Sequence, residues 1–268
     1  MNKKEIMNLS LKGKRAVVCG STQGIGKSIA LRLAEQGASI TLISRNENKL
    51  QAVKNKLESI NDNEHNFIAC DFKNLNSLKT KFKDFLDSNY EPTILINNTG
   101  GPPPGEISEA TTEELEEYMT MHLHCSHYLS KSLLPLMKSK KFGRIVNIIS
   151  ISVKAPIDNL GVSNTVRWAM ASWAKTLSNE VAEYGITVNN ILPGFTDTER
   201  LRSLLKSRAK NSNITVKEIS DNIISSIPSK RFGSPDEIAN AALFLCCKSA
   251  NYINGINLPV DGGFTKSL

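Results

Sequence analysis

The run Gly20-Ser21-Thr22-Gln23-Gly24-Ile25-Gly26 is the first place where residue types and spacing point to chemistry. Glycines there let the backbone turn tightly and approach a pyrophosphate. A helix that follows supplies free N–H donors and the positive end of its dipole. Glycine clusters also make plain turns. This one follows the apolar stretch Ala16-Val17-Val18-Cys19 and opens a pattern with Ile25, Ile29 and Leu33 at helical spacing, Ala30 and Ala34 beside them, and Gly37 placed to end the helix. That strand–turn–helix setting predicts a dinucleotide site. The next strand closes on Ile43-Ser44-Arg45-Asn46, with no acid before Glu47. A carboxylate there would take a free ribose 2′-hydroxyl, whereas Arg45 offers a planar fork to a 2′-phosphate. The expected cofactor is NADPH in preference to NADH. The plainer role for Arg45 is a surface arginine opening a helix.

Three of the 4 histidines, His122, His124 and His127, fall close together. Imidazole is the side chain best matched to proton transfer near neutral pH, so His122 is a candidate acid/base. A packed or water-binding histidine is the plainer alternative. Spacings of two and five residues do not bring three imidazoles to one helix face, so no metal site is expected.

The formal net charge of +7 raises nucleic acid, membrane and anionic small molecules as partners. The basic residues concentrate at Lys138, Lys140, Lys141 and Arg144, and at Arg200, Arg202, Lys206, Arg208 and Lys210, the second run holding no acid. Neither run interleaves aromatics, and only 6% of residues are aromatic, so platforms for stacking bases are not expected. Solvated surface is the ordinary reading of such runs. The second would also suit attraction of an anionic ligand.

The elements that must position these residues alternate. Strand-like runs fall at Ala16–Cys19, Ser39–Ile43, Phe67–Cys70, Thr93–Ile96, Arg144–Ile149, Thr187–Leu192 and Gly255–Leu258, with helical patterns between them. The longest helical stretches run from about Thr112 to Met137 and from about Val162 to Glu183. The alternation predicts an α/β fold: a Rossmann-like, doubly wound parallel sheet of about seven strands with helices on both faces, in one domain over residues 1–268. No apolar run approaches a membrane span. Met1-Asn2-Lys3-Lys4-Glu5-Ile6 has no apolar stretch behind its charges, so no leader is expected, and Lys266-Ser267-Leu268 has a peroxisomal signal's letters in the wrong order. The 5 cysteines sit in mostly apolar contexts, as reduced thiols of a cytoplasmic protein would.

The spacing Gly-x-x-x-Gly-x-Gly resembles that of the short-chain dehydrogenase/reductase family, and the likeness extends along nearly the whole chain. Asn97-Asn98-Thr99-Gly100, Asp71-Phe72, Gly143-Arg144-Ile145-Val146-Asn147-Ile148-Ile149-Ser150, Pro193-Gly194 with Thr198, and Val260-Asp261-Gly262-Gly263 each resemble a family segment. Arg231-Phe232-Gly233 and Pro235-Asp236-Glu237-Ile238-Ala239 do so too. The similarity is greatest to 3-oxoacyl carrier-protein reductases. It implies that Asp71 and Phe72 meet the adenine, that Asn98 and Gly100 flank the cofactor, and that Pro193, Gly194, Thr196 and Thr198 hold its nicotinamide half. Residues 196–226 would form a substrate lid, with Leu201, Leu204, Leu205, Ile223 and Ile224 available to line an apolar pocket and the basic residues of Arg200 to Lys210 available to meet a phosphopantetheine arm or an acidic carrier protein. The long helices would pair subunits into a homodimer or homotetramer.

The resemblance also implies a departure. The family works with Ser, Tyr and Lys and a nearby Asn. Ser150 matches the serine, but the tyrosine position is Ser163, the lysine position Arg167 and the asparagine position His122. No tyrosine lies between Tyr128 and Tyr184. A serine hydroxyl is a far poorer acid than a phenol, and Arg167 holds its proton, though it can still bind the ribose hydroxyls of the cofactor. The leading expectation is an NADP(H)-dependent oxidoreductase interconverting a ketone and an alcohol, with His122 supplying acid/base and Ser150 orienting the carbonyl. The alternatives are a catalytically impaired NADP-binding regulatory or subunit protein, and a non-redox reaction on the same scaffold.

Overall fold

The structure is a computed structural model describing residues 7–88 and 90–267. The opening residues 1–6 and Leu268, on which the leader and terminal-tripeptide expectations bear, lie outside the described residues.

Seven strands form one sheet: β1 (Arg15–Cys19), β2 (Ser39–Ser44), β3 (Asn66–Ala69), β4 (Ile94–Asn97), β5 (Gly143–Ile148), β6 (Ile186–Pro193) and β7 (Asn257–Val260). Their spatial order is β3-β2-β1-β4-β5-β6-β7, and every neighbouring pair is parallel. The helices are α1 (Gly24–Glu35), α2 (Glu47–Glu58), α3 (Leu75–Asp87), α4 (Thr112–Met119), α5 (Cys125–Ser139), α6 (Gly161–Val181), α7 (Glu199–Ser212), α8 (Val216–Ser226) and α9 (Pro235–Cys246). Side chains alternate across each strand, so one sheet feeds two cores. On β1, Ala16 and Val18 join α1, α2 and α9 in one core, while Val17 and Cys19 join α3, α5 and α6 in the other. This is the doubly wound sheet that the alternation predicts. Its order reverses between β1 and β4, which opens a crevice beyond their carboxyl ends.

Four asparagines cross the buried half of the sheet in register. Asn97 donates to Asn147 at 2.8 Å, Asn147 to Asn190 at 2.8 Å, and Asn190 to Asn257 at 2.7 Å. They occupy paired positions on β4, β5, β6 and β7. A one-residue slip of any strand would break the chain of amides and bury its members unpaired.

Two expected boundaries move. The last strand is Asn257–Val260 and not Gly255–Leu258, because Gly255, at φ +70°, turns the chain before pairing starts. The stretch Thr112–Met137 is not one helix. Thr120–His124 forms a π turn between α4 and α5, with the Cys125 amide closing on the Thr120 carbonyl. The turn carries one residue more than an α-helical repeat and resets which residues α5 turns toward the core. The first basic run also comes apart. Arg144 is buried within β5, Lys140 pairs with Glu91 at 2.9 Å, and Lys138 lies over the Tyr184 ring.

Candidate functional site

A cleft of about 960 Å³ lies at the crevice end of the sheet. Its floor is the loop leaving β1. Gly20 and Gly24 have φ of +58° and +52°, a region that favours glycine. A Cβ on Gly20 would come within 2.6 Å of the Asn98 amide. Asn98 itself braces the loop, donating to the Cys19 and Gly20 carbonyls at 3.2 Å. The first turn of α1 has no side-chain cap and no acid, so its N–H groups are free for an anion. Thr22, Gln23, Gly24 and Ile25 line the cleft here.

Ser21 and Gly26 do not line it. Ser21 is fully buried, its hydroxyl 3.4 Å from the Ile43 carbonyl that it donates to, and it ties the loop to β2. A Cβ on Gly26 would lie 2.3 Å from the Gly20 carbonyl oxygen. Gly26 is therefore demanded by helix-on-loop packing and not by a ligand. Both depart from the expectation of direct cofactor contact, because neighbouring residues in a tight turn point opposite ways.

At the far end of the floor, Arg45 follows β2 and Lys49 stands one turn into α2, both on the cleft wall. Asn46 caps α2 by accepting from the Lys49 amide at 2.9 Å. Lys49 is a site residue that the motifs miss, and its spacing of four from Arg45 is the one signal for it in the sequence. Asp71 and Phe72 line the same end.

The opposite end gathers Asn98, Gly100, Ser150, Ser163, Arg167, Pro193, Gly194, Thr196 and Thr198 on the wall. Ser150 sits just past β5, its hydroxyl accepting from the Ser152 amide at 3.0 Å. Ser163 and Arg167 are four residues apart on α6 and so share a face. The entry to α6 is held by Asn164, which exchanges hydrogen bonds with the Ile157 backbone, and by the pairing of Gly105 with Asn159 and Gly161. That pairing also fixes the Gly101–Gly105 loop over the cleft.

Arg167 is buried and donates to the Ile148 carbonyl at 2.8 Å, and its Nε has no partner. Burial, with the charge of nearby Arg200, pushes its guanidinium down to about 10, so it remains cationic at neutral pH.

The three histidines separate. His124 meets Thr120 at 3.3 Å, and His127 accepts from the Trp173 indole at 3.3 Å. Among the described residues no group of three metal-type ligands occurs. His122 is buried on the π turn with Nε2 unpartnered. Burial first, then the charge of Arg167, holds its imidazole well below the ordinary value, against a smaller opposing effect of the Gly100 backbone. It is thus neutral at pH 7 and stands behind the cleft wall, near Arg167 and the Gly100 backbone. The expectation that it works in the cleft as an acid/base does not match this position.

Leu201, Leu204, Leu205 and Ile223 line the cleft from α7 and α8, and Ile224 does not. Of the second basic run, Arg200 and Arg208 reach the cleft, while Arg202 is paired with Asp197 at 3.0 and 3.1 Å.

A glycine-floored crevice at a topological switch point, basic at one end and hydroxyl-lined at the other, defines a dinucleotide-dependent enzyme of the doubly wound class. A family model described as Enoyl-(Acyl carrier protein) reductase matches residues 20–265. The NADPH-dependent reductase BacG of Bacillus subtilis is 32% identical over 256 residues, spanning 95% of this chain and 99% of that protein. The 3-oxoacyl-[acyl-carrier-protein] reductase FabG of Vibrio cholerae is 32% identical over 257 residues, 95% and 98% of the two chains. The L-sorbose reductase of Gluconobacter frateurii, solved with NADPH and L-sorbose, superposes with a TM-score of 0.91 at 30% identity, covering 98% of this chain and 100% of that one. The chain belongs to the short-chain dehydrogenase/reductase family of NAD(P)-dependent oxidoreductases.

The residues present fit a phosphorylated dinucleotide. The cradle that a Cβ at Gly20 would fill, the uncapped start of α1 and the two cations at Arg45 and Lys49 each match one part of it.

Proposed function

We propose that this chain is an NADPH-dependent reductase of a small carbonyl compound, interconverting a ketone and an alcohol. One observation carries the reading: a single cleft runs unbroken from Arg45 and Lys49, past the α1 N-terminus, to Ser150, Ser163 and Arg167. The names of its relatives support it, since BacG is an NADPH-dependent reductase and the FabG and sorbose enzymes reduce carbonyl groups. When bound, NADPH supplies a hydride.

The chain's residues do the rest. Arg45 and Lys49 hold the 2′-phosphate. The loop from Gly20 to Ile25 donates backbone N–H groups to the pyrophosphate. Asp71 and Phe72 flank the adenine, and Asn98, Gly100, Pro193, Gly194, Thr196 and Thr198 bound the nicotinamide half. Ser150 and Ser163 donate to the substrate oxygen, and Arg167 stabilises negative charge developing there. Ser163 and Arg167 thus stand where the family has its phenol and amine. The segment 196–226 acts as the lid, within a single functional domain. Pairing through the long helices gives a homodimer or homotetramer. Five unpaired, buried thiols suit the cytoplasm.

A second reading is favoured by the lack of any tyrosine among the described residues of the cleft wall. Hydride added to a carbon–carbon double bond conjugated with the carbonyl leaves an enolate, a weaker base than an alkoxide. Arg167 and the serines would stabilise it, and water would protonate it without a phenol. The family model's description as an enoyl reductase agrees with this.

NADPH consumption measured against matched ketones and enones, free and as acyl thioesters, tests both. Turnover of the ketones supports the first reading, and turnover confined to enones replaces it with the second. Tight NADPH binding with no consumption on either set overturns both in favour of a non-catalytic binder.

A further inference from the structure

Arg167 and Arg200 come from different elements, α6 and the first turn of α7, yet they meet over one spot. A Cβ built on Gly101 would lie 3.6 Å from Nη2 of Arg167, 3.7 Å from Nη2 of Arg200 and 3.9 Å from its Nε. Gly101 therefore lies beside both guanidinium groups, with room for a Cβ in ordinary contact with each. That spot belongs to the wall that holds Ser150 and Ser163, while Arg45 and Lys49 occupy the other end of the cleft.

Neither arginine is neutralised. Among the described residues neither is in an ion pair. Arg167 gives one hydrogen bond to the Ile148 carbonyl and Arg200 one to the Pro102 carbonyl. Those are backbone oxygens, and the Nε of Arg167 has no hydrogen-bond partner among the described residues. The acids nearby are otherwise disposed. Asp197 is bound to Arg202 through both oxygens, and Glu199, on the same wall, pairs with neither arginine. Two like charges drawn together away from water are unfavourable unless an anion joins them. Desolvation lowers the guanidinium of each.

We propose that the substrate carries a carboxylate, which Arg167 and Arg200 grip from two sides across Gly101 while Ser150 and Ser163 receive the reacting carbonyl. A carboxylate presents two oxygens in a plane, which suits two forks with free N–H groups better than a single point charge would. This assignment rests on the reductase reading, because it names the substrate end of that same cleft. It also redirects the second basic run. Arg200 turns into the cleft toward a small anion and is not free to meet an acidic carrier surface.

The test uses the full-length protein saturated with NADP⁺, so that no turnover is needed. Calorimetric titration compares 2-oxo-4-phenylbutanoate with its uncharged amide. The acid is expected to bind at least roughly tenfold more tightly than the amide, from charge-assisted bonding. Arg200→Gln should abolish that preference, Arg200→Lys should keep part of it, and NADP⁺ affinity should change less than about threefold in either. Lys140→Gln, whose partner Glu91 lies away from the cleft, should change nothing. Equal binding of acid and amide by the wild-type protein overturns the proposal. So does an Arg200→Gln variant that loses NADP⁺ but keeps the acid preference, since the pair would then serve the cofactor's pyrophosphate. Failure to bind NADP⁺ is seen before any acid is added and refutes the reductase reading instead. The acid–amide comparison on the free protein then still decides whether the arginine pair is an anion site.

Discussion

Replacing Asn147 by alanine removes the centre of the amide chain that crosses the sheet. Asn147 is fully buried and makes two side-chain hydrogen bonds, each 2.8 Å long. Without it, the Asn190 oxygen loses the donor that served it. The Asn97 amide nitrogen loses its acceptor, and the Asn97 oxygen already has no partner, so that whole amide is stranded in the sheet. Each orphaned group costs about 1–3 kcal/mol, and the small void adds about 1 kcal/mol more. The expected destabilisation is about 3–7 kcal/mol. Urea unfolding at fixed protein concentration should show a lower midpoint with an unchanged slope. Asn147→Ala combined with Asn190→Ala should cost less than the sum of the two by about 1–2 kcal/mol, because the second change removes a group the first had orphaned. NADPH affinity should fall with stability, since β4, β5 and β6 deliver Asn98, Ser150 and Pro193 to the cleft from their aligned ends. A destabilisation below about 1 kcal/mol, or strict additivity, would refute the idea that this ladder fixes the register.

The charges give two further expected outcomes. Arg45→Asp should lower NADPH affinity by about 10- to 100-fold, as loss of a charge-assisted bond implies, and should raise the relative affinity for NADH. Adding Lys49→Gln should extend the shift, and an unchanged NADPH-to-NADH ratio in the double variant would remove both residues from the 2′-phosphate. His122 gives a pH signature. Its folded-state value lies below the unfolded one of about 6.5, so the unfolded chain takes up the proton first as pH falls. Its contribution is complete above about pH 6.5 and declines below it, by about 1.4 kcal/mol per pH unit. Burial lowers His65 in the same sense, so His122→Gln should remove only part of the slope between pH 7 and 5. Urea midpoints across that range measure it, and an identical slope in the variant would mean that His122 is not held neutral in the folded protein.

The sheet is legible in the sequence because strands buried on both faces read as apolar runs, and β1 through β6 fall within a residue or two of those runs. The glycine loop is legible because it makes a backbone demand that few other residues meet. The features that the sequence conceals depend on neighbours that only the fold creates. Asn97, Asn147, Asn190 and Asn257 are isolated polar residues, each in a different strand, and only parallel register turns them into one chain. The π turn at Thr120–His124 is a one-residue excess that a periodic pattern absorbs without trace, yet it sets which histidine faces inward. Ser21 and Gly26 read as cleft residues because a motif specifies positions, whereas contact depends on the direction each side chain takes.

Arg200 shows the same limit in reverse and bears most on the chemistry. In the sequence it is the first cation of a run that reads as solvated surface, and nothing local separates it from Arg202. The fold separates them by giving Asp197 to Arg202 and leaving Arg200 to bend over Gly101 toward Arg167. The cleft end therefore holds fixed positive charge and two serine hydroxyls, and among the described residues that line it there is no tyrosine or histidine. Such an end lowers the energy of a negative oxygen more readily than it protonates one. The demand for a proton is least when the charge formed is delocalised, as in an enolate. Fixed cations also hold a substrate carboxylate most firmly when water is excluded around them. A substrate joining a carboxylate to a conjugated carbonyl satisfies both conditions at once. For that reason the comparison of enone with ketone should be made on acids and not on their neutral analogues.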